Sequence, residues 1–223
     1  MRTSKLKDRK ENLEKRLLEY GLKYDIVNTL YFKFNKDDFA NPVEIATRMM
    51  ILYALFFAAT NPDKIKKIKD WLTKVNLWKD VSDIEKIFLN EEIEDETKII
   101  EFTWNIEKVY ILAWTLNLVT ERPFPTDQIS DKQFNELISN LPELGSENIA
   151  DFLNNQKLRD LKVIYDENLF NELVTSHFRD LIFYKKEDRT NLDPVATFER
   201  HYALNWVRRF CGIKDWDETD TST

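Results

Sequence analysis

Only three glycines and six prolines punctuate a chain of 223 residues. A sandwich or barrel of short strands needs a turn signal roughly every 8–12 residues, so this scarcity points to long helices joined by short loops. The breakers that are present stand where helices begin and end. Asn41-Pro42, Asn61-Pro62 and Asp193-Pro194 each place a side-chain acceptor at an N-cap and a proline in the first turn. Ser82 with Glu85, and Ser130 with Gln133, have capping-box spacing. Gly21, Gly145 and Gly212 follow helical segments, where a left-handed residue is wanted.

These signals predict helices over residues 3–20, 42–60, 62–75, 83–89 and 97–119, one opening after Ser130, and others over 147–161, 167–185 and 194–212. Asp166 is the predicted N-cap of the segment 167–185. Segment 97–119 is apolar over most of its circumference, with Glu101, Asn105 and Lys108 as its only narrow polar stripe, so other helices should surround it. The apolar run 49–59 falls short of the roughly 20 residues that cross a bilayer and reads as a buried core helix. Residues 26–34 are rich in β-branched and aromatic side chains, which makes them a candidate short strand or hairpin. The acidic run 91–96 and the proline-containing stretch 120–131 read as loops. The expected fold is all-α: one compact multi-helix bundle forming a single domain over 1–223. Residues 1–21 form its N-terminal helix and 213–223 an acidic tail anchored by Trp216.

The formal net charge is −7, a field that repels phosphate backbones and anionic lipid, so nucleic acid and membrane are disfavoured partners. A single cysteine, Cys211, allows no internal disulfide, and no apolar leader opens the chain; a reducing cytoplasm is the expected compartment. Three glycines cannot build GxGxxG, and GxxxxGK[ST], GxSxG and HExxH are all absent. No cofactor and no metal is expected.

Polar residues that could carry chemistry concentrate on the last helix. His201 and Asn205 share a face extended by Phe198 and Arg209, while Glu199, Tyr202 and Trp206 share a neighbouring one. His177 lies on an apolar stripe with Leu173, Val174 and Leu181. With Glu199 or Asp180, the two histidines would make a three-ligand set, but the spacing is not that of a metal motif. Arg48 stands four residues after Glu44, the order for an ion pair along a helix; the alternative is that it reaches a buried carboxylate or an anionic ligand. Arg179 and Arg200 are expected at the surface, solvated or paired. The candidate polar pocket comprises Arg48, His177, Glu199, His201, Asn205, Trp206 and Asp217. The bland reading of the same residues is a helix whose His and Asn satisfy buried polar groups.

Several segments together resemble a known family. They are Pro42 to Arg48, Trp71-Leu72, Ser82 to Leu89, Thr103-Trp104, Trp114-Thr115-Leu116-Asn117, and above all Glu199-Arg200-His201-Tyr202-Ala203-Leu204-Asn205-Trp206 followed by Trp216-Asp217. The chain resembles the bacterial domain-of-unknown-function family numbered 4272 over most of its length. The resemblance implies a mainly helical cytoplasmic domain with no assigned activity and no catalytic residues to carry over. Asn117 stands where that family usually has glycine, and asparagine tolerates the same left-handed conformation. The acidic, aromatic-rich chain without a catalytic signature is expected to act as a non-enzymatic protein-interaction or accessory domain. An immunity-like role, masking a basic partner, would suit its charge. The alternative is a small-ligand binder or hydrolase-like enzyme using the pocket around the last helix.

Overall fold

The computed structural model describes residues 2–28, 32–90 and 96–222. It is all-α, 64% helical, with no strand among the described residues. Ten α-helices are described: α1 (Arg2–Glu19), α2 (Pro42–Thr60), α3 (Ile65–Lys74), α4 (Asp83–Leu89), α5 (Glu96–Thr103), α6 (Asn105–Thr115), α7 (Asp131–Ser139), α8 (Ala150–Asn154), α9 (Leu161–Tyr184) and α10 (Pro194–Val207). Packing runs in series: α2 against α6, α6 against α10, α10 against α9, and α9 against α1.

α2 is the centre of one contiguous core. Ile45, Met49, Met50, Ile51, Leu52, Leu55 and Ala58 are all buried along it. With the turn before it, this helix is long and apolar enough to cross a membrane, but here more than half of it is wrapped by the rest of the fold. It starts at a full capping box: Asn41 Oδ1 accepts from Glu44 N at 3.0 Å, and Glu44 Oε2 accepts from Asn41 N at 2.8 Å. Asn41→Ala is expected to cost about 1 kcal/mol, read as a lower urea midpoint at unchanged slope; an unmoved midpoint would mean the cap contributes nothing.

The sequence reading needs correction at several boundaries. The expected helix 97–119 breaks at Trp104 into α5 and α6, where Trp104 N bonds Glu101 O three residues back and the Thr103 hydroxyl takes Ile100 O at 2.6 Å. α6 ends at Thr115. Asn117 (φ 60°) adopts the left-handed conformation, and Leu118 N returns to Ala113 O at 2.9 Å. Of the expected helix 147–161, residues 150–154 form α8 and Leu161 already belongs to α9. Residues 155–160 instead close the end of α6: Arg159 donates through its backbone to Thr115 O and through its side chain to Trp114 O and Val119 O. α9 therefore starts six residues earlier than predicted, capped by Asp160, whose carboxylate accepts from Lys162 N. Asp166 lies inside the helix and takes Arg9 of α1 in a bidentate pair. α10 ends at Val207, and Gly212 closes a separate short turn after it.

No strand forms in the described part of 26–34, and residues 29–31 lie outside the described residues, as do residues 91–95 of the acidic loop. The backbone groups that a sheet would pair are taken by α1 side chains: Ile26 N donates to Glu14 Oε1 at 2.6 Å, and Phe32 O accepts from Arg9 Nη1 at 2.7 Å. Phe34 stacks on Tyr165 of α9 instead of on a cross-strand neighbour.

Candidate functional site

The polar residues of α10 face three different neighbours. Arg200 points into the protein at 1% exposure. Its Nε and Nη2 donate to Glu107 Oε2 of α6 at 3.0 and 2.6 Å, and its Nη1 and Nη2 donate to the carbonyls of Phe124 and Asp127 at 2.7 and 2.8 Å. The second oxygen of Glu107 accepts from Ile129 N at 2.9 Å. One buried ion pair thus ties α6, α10 and the proline-containing loop together. Arg200 is not the surface arginine expected, and Glu107 adds a fully buried carboxylate to a helix read as having only one polar stripe.

Glu199 turns to the neighbouring side and pairs with Lys108, which also donates to Asn105 Oδ1. Burial raises the Glu199 carboxyl above its ordinary value, and Lys108 works against that shift.

His201 and Asn205 face α9 at 0% and 1% exposure. Asn205 links two elements: its Oδ1 accepts from Asn168 Nδ2 at 2.8 Å and its Nδ2 donates to Asp220 O at 2.8 Å. Asn168 Oδ1 in turn accepts from Arg208, which pairs with Glu172 at 3.0 Å. Both ring nitrogens of His201 lack a hydrogen-bond partner. Burial, and then the charges of Arg179 and Arg208, push its pKa down from 6.5 to about 3. A fully buried imidazole held neutral well below its ordinary pKa is poorly matched to acid–base chemistry near neutral pH.

Arg48 does not pair with Glu44. Its Nη1 donates to both oxygens of Glu85 at 2.8 Å and its Nη2 to Asp80 O at 2.6 Å. Glu44 pairs instead with Arg209. A helical i,i+4 pair on the surface contributes only a few tenths of a kcal/mol, whereas Arg48 in a nearly closed site needs a fully desolvated partner. Glu85 also accepts from Ser82 N, so one carboxylate closes the capping box of α4 and neutralises Arg48.

The seven candidate residues therefore do not line one cavity. Arg48 and Asp217 border a depression of about 490 Å³ beside Trp216. His177 borders another of about 600 Å³ with Leu181, Lys185 and Arg189, its Nε2 lying 3.6 Å from Asp188 Oδ1. Glu199, His201 and Asn205 diverge within the core, and Trp206 packs on Trp216 with its Nε1 donating to Lys214 O. Among the described residues, no three His, Cys, Asp or Glu side chains are grouped to hold a metal.

Sequence reasoning missed the carboxylates Glu107 and Glu167, and it placed Glu85 only in a capping box, while the buried carboxylate offered as an alternative partner of Arg48 had no residue assigned to it. Glu167 is buried on α9 and is held by Arg16 of α1, by Arg122 and by Asn171. Burial alone would raise its carboxyl; the two arginines outweigh this and hold it below its ordinary value. The available signal was arithmetic: an arginine on a strongly apolar helix needs a carboxylate from elsewhere in the chain.

Fold and site together define an all-α protein in which buried arginine–carboxylate pairs join helices distant in the chain. The chain belongs to the family described as domain of unknown function DUF4272, whose model matches residues 9–219. No curated protein and no solved structure matches it.

Proposed function

We propose that this chain is a non-enzymatic protein-interaction domain of the cytoplasm that docks a partner on the far end of α9. The observation that carries this is the helix tip: Ile182, Phe183 and Tyr184 are consecutive and 80%, 78% and 59% exposed. Three adjacent residues on a helix point in directions spread over more than half its circumference, so the end of α9 overhangs its neighbours. Aromatic side chains on a rigid element are the usual anchors of interfaces. Lys185 and Lys186 follow, with Lys186 Nζ 5.1 Å from the Tyr184 ring centroid. The partner that complements this tip is a protein with an apolar cleft that takes the aromatic side chains. Net charge favours a basic partner, as an immunity-like masking role would need, while at the tip itself Lys185 and Lys186 are followed by Glu187 and Asp188, so apolar contact sets the docking. The small-ligand or hydrolase reading of α10 draws no support from His201, which is sealed in the core.

Phe183→Glu with Tyr184→Glu tests this. Both residues are exposed, so the unfolding free energy should move by only about 0.5 kcal/mol or so per site. Tagged wild type should capture a stoichiometric protein from a lysate of its own organism, and the double variant should capture at least ~10-fold less. Equal capture by the two proteins, or repeated absence of any stoichiometric partner, overturns the proposal.

A further inference from the structure

Residues 213–222 follow α10 without helix or strand and lie back across it. Side chains of α10 hold this segment through its main chain, and one from α9 through a side-chain hydroxyl. Trp206 Nε1 donates to Lys214 O at 3.0 Å, Tyr202 Oη donates to Trp216 O, and Asn205 Nδ2 donates to Asp220 O at 2.8 Å. Arg179 of α9 donates to Thr221 Oγ1 at 3.3 Å. Residues 202, 205 and 206 share one helix face, so a single face supplies donors to successive carbonyls of an irregular peptide. Recognition of main-chain carbonyls gives affinity without fixing sequence; side-chain pockets supply the specificity.

One such pocket is present. The Trp216 ring is buried edge-to-face on Tyr202 and Trp206, with centroids 5.0 and 5.4 Å away, and the Arg48 guanidinium lies 4.9 Å from its centroid. The next residue, Asp217, accepts from Ile84 N at 3.3 Å in the first turn of α4. Around it, Lys79 and Lys86 border the same depression together with Asp80 and Asp83, and Arg48 is already paired with Glu85, so what recognises the segment here is the Trp216 pocket and the Ile84 amide. The connection into the segment is unfavourable for its residue types: Arg209 (φ 47°) and Cys211 (φ 55°) are non-glycine residues held left-handed beside Gly212 (φ 78°).

We propose that this face of α9 and α10 is a peptide-recognition groove, that residues 214–221 occupy it in cis, and that its ligand in trans is an extended segment of a partner protein carrying a tryptophan followed by an aspartate. The groove is a different surface from the α9 tip, and neither proposal needs the other. A segment tethered by a few residues sits at an effective concentration in the mM range, so a trans ligand meets a mostly filled groove, and its apparent affinity falls by the fraction that is open.

The test uses a fluorescein-labelled peptide with the sequence of residues 213–222 and the full chain carrying Trp216→Ala. By anisotropy the peptide should bind the variant saturably and at least ~10-fold more tightly than it binds wild type. The same peptide with alanine at its tryptophan should bind neither. A W216A chain that is folded by circular dichroism and shows no saturable binding, or binds no more tightly than wild type, overturns the proposal. A second measurement does not depend on that variant folding. Cys211 is the single cysteine and is exposed; a dye attached there in the wild-type chain should report displacement of the segment by millimolar unlabelled peptide. A saturable change in emission with the native peptide, and none with the alanine peptide, is expected. No change, or the same change with both, refutes it. F183E/Y184E should leave both readouts unchanged, which separates failure here from failure at the α9 tip.

Discussion

Arg200→Ala is expected to lower the unfolding free energy by about 3–5 kcal/mol, the cost of leaving a buried charge without its partner. Glu107 is fully buried, and among the described residues Arg200 is the charged side chain that hydrogen-bonds it; its other oxygen is fixed on a backbone amide. The same substitution strips two carbonyls in the 120–131 loop of their donor. Domains of this kind have total stabilities of about 5–15 kcal/mol, so the variant should unfold at far lower urea than wild type. Glu107→Ala should behave alike for the mirror-image reason. Replacing the pair together, as Arg200→Met with Glu107→Leu, should cost clearly less than the sum of the single losses, because no orphan charge remains. Urea denaturation of the four proteins measures this, and a loss under about 1 kcal/mol for Arg200→Ala would mean that water reaches the pair.

The second large effect is a dependence on pH. His201 is neutral in the fold, its pKa pushed down to about 3 by burial and then by Arg179 and Arg208, with Asn205 and then Asp220 pulling the other way. In the unfolded chain the imidazole takes up a proton near pH 6.5 that the folded chain refuses. The stabilisation is complete above about pH 6.5 and is lost progressively as pH falls toward 3. Between pH 7 and pH 5 the loss is about 2 kcal/mol, at 1.36 kcal/mol per unit over the 1.5 units below the unfolded pKa. His201→Gln removes this contribution whatever its own cost at neutral pH. The carboxylates that burial raises (Asp166, Glu172 and Glu199) act in the opposite direction, but they are common to both proteins and cancel in the comparison. Urea titrations at pH 5 and 7 should therefore show wild type losing about 2 kcal/mol more than the variant. Equal losses would contradict the buried placement of His201.

Much of the fold is legible in the sequence because its signals are local. Asn41-Pro42, Ser82 with Glu85, Ser130 with Gln133, and Asp193-Pro194 start helices where they stand, since a cap and its acceptor lie within one turn. Asn117 takes the left-handed conformation for the same reason. The errors arose where a distant group decided the outcome. Asp160 and Asp166 are equally good caps by composition; Arg9, 157 residues away in sequence, takes Asp166, and Arg159 locks the preceding residues onto the end of α6. Arg48 had a carboxylate at the right helical spacing, yet Glu85, 37 residues on, is buried with it and Glu44 is not. The candidate pocket failed as a unit because helical spacing shows only which residues share a face of α10. It does not show that Glu199 would meet Lys108, Arg200 would meet Glu107, and His201 would be buried near Arg179 of α9 and Asp220.

That His201, in the conspicuous polar cluster of α10, is sealed in the interior has a direct test in the protonation of its ring. Nitrogen-detected NMR of the folded chain between pH 4 and 8, assigned with His201→Gln, should find the His201 imidazole neutral throughout. A His201 signal that titrates near pH 6.5 while the chain stays folded would instead put that ring in contact with water and return it to the list of groups available for chemistry.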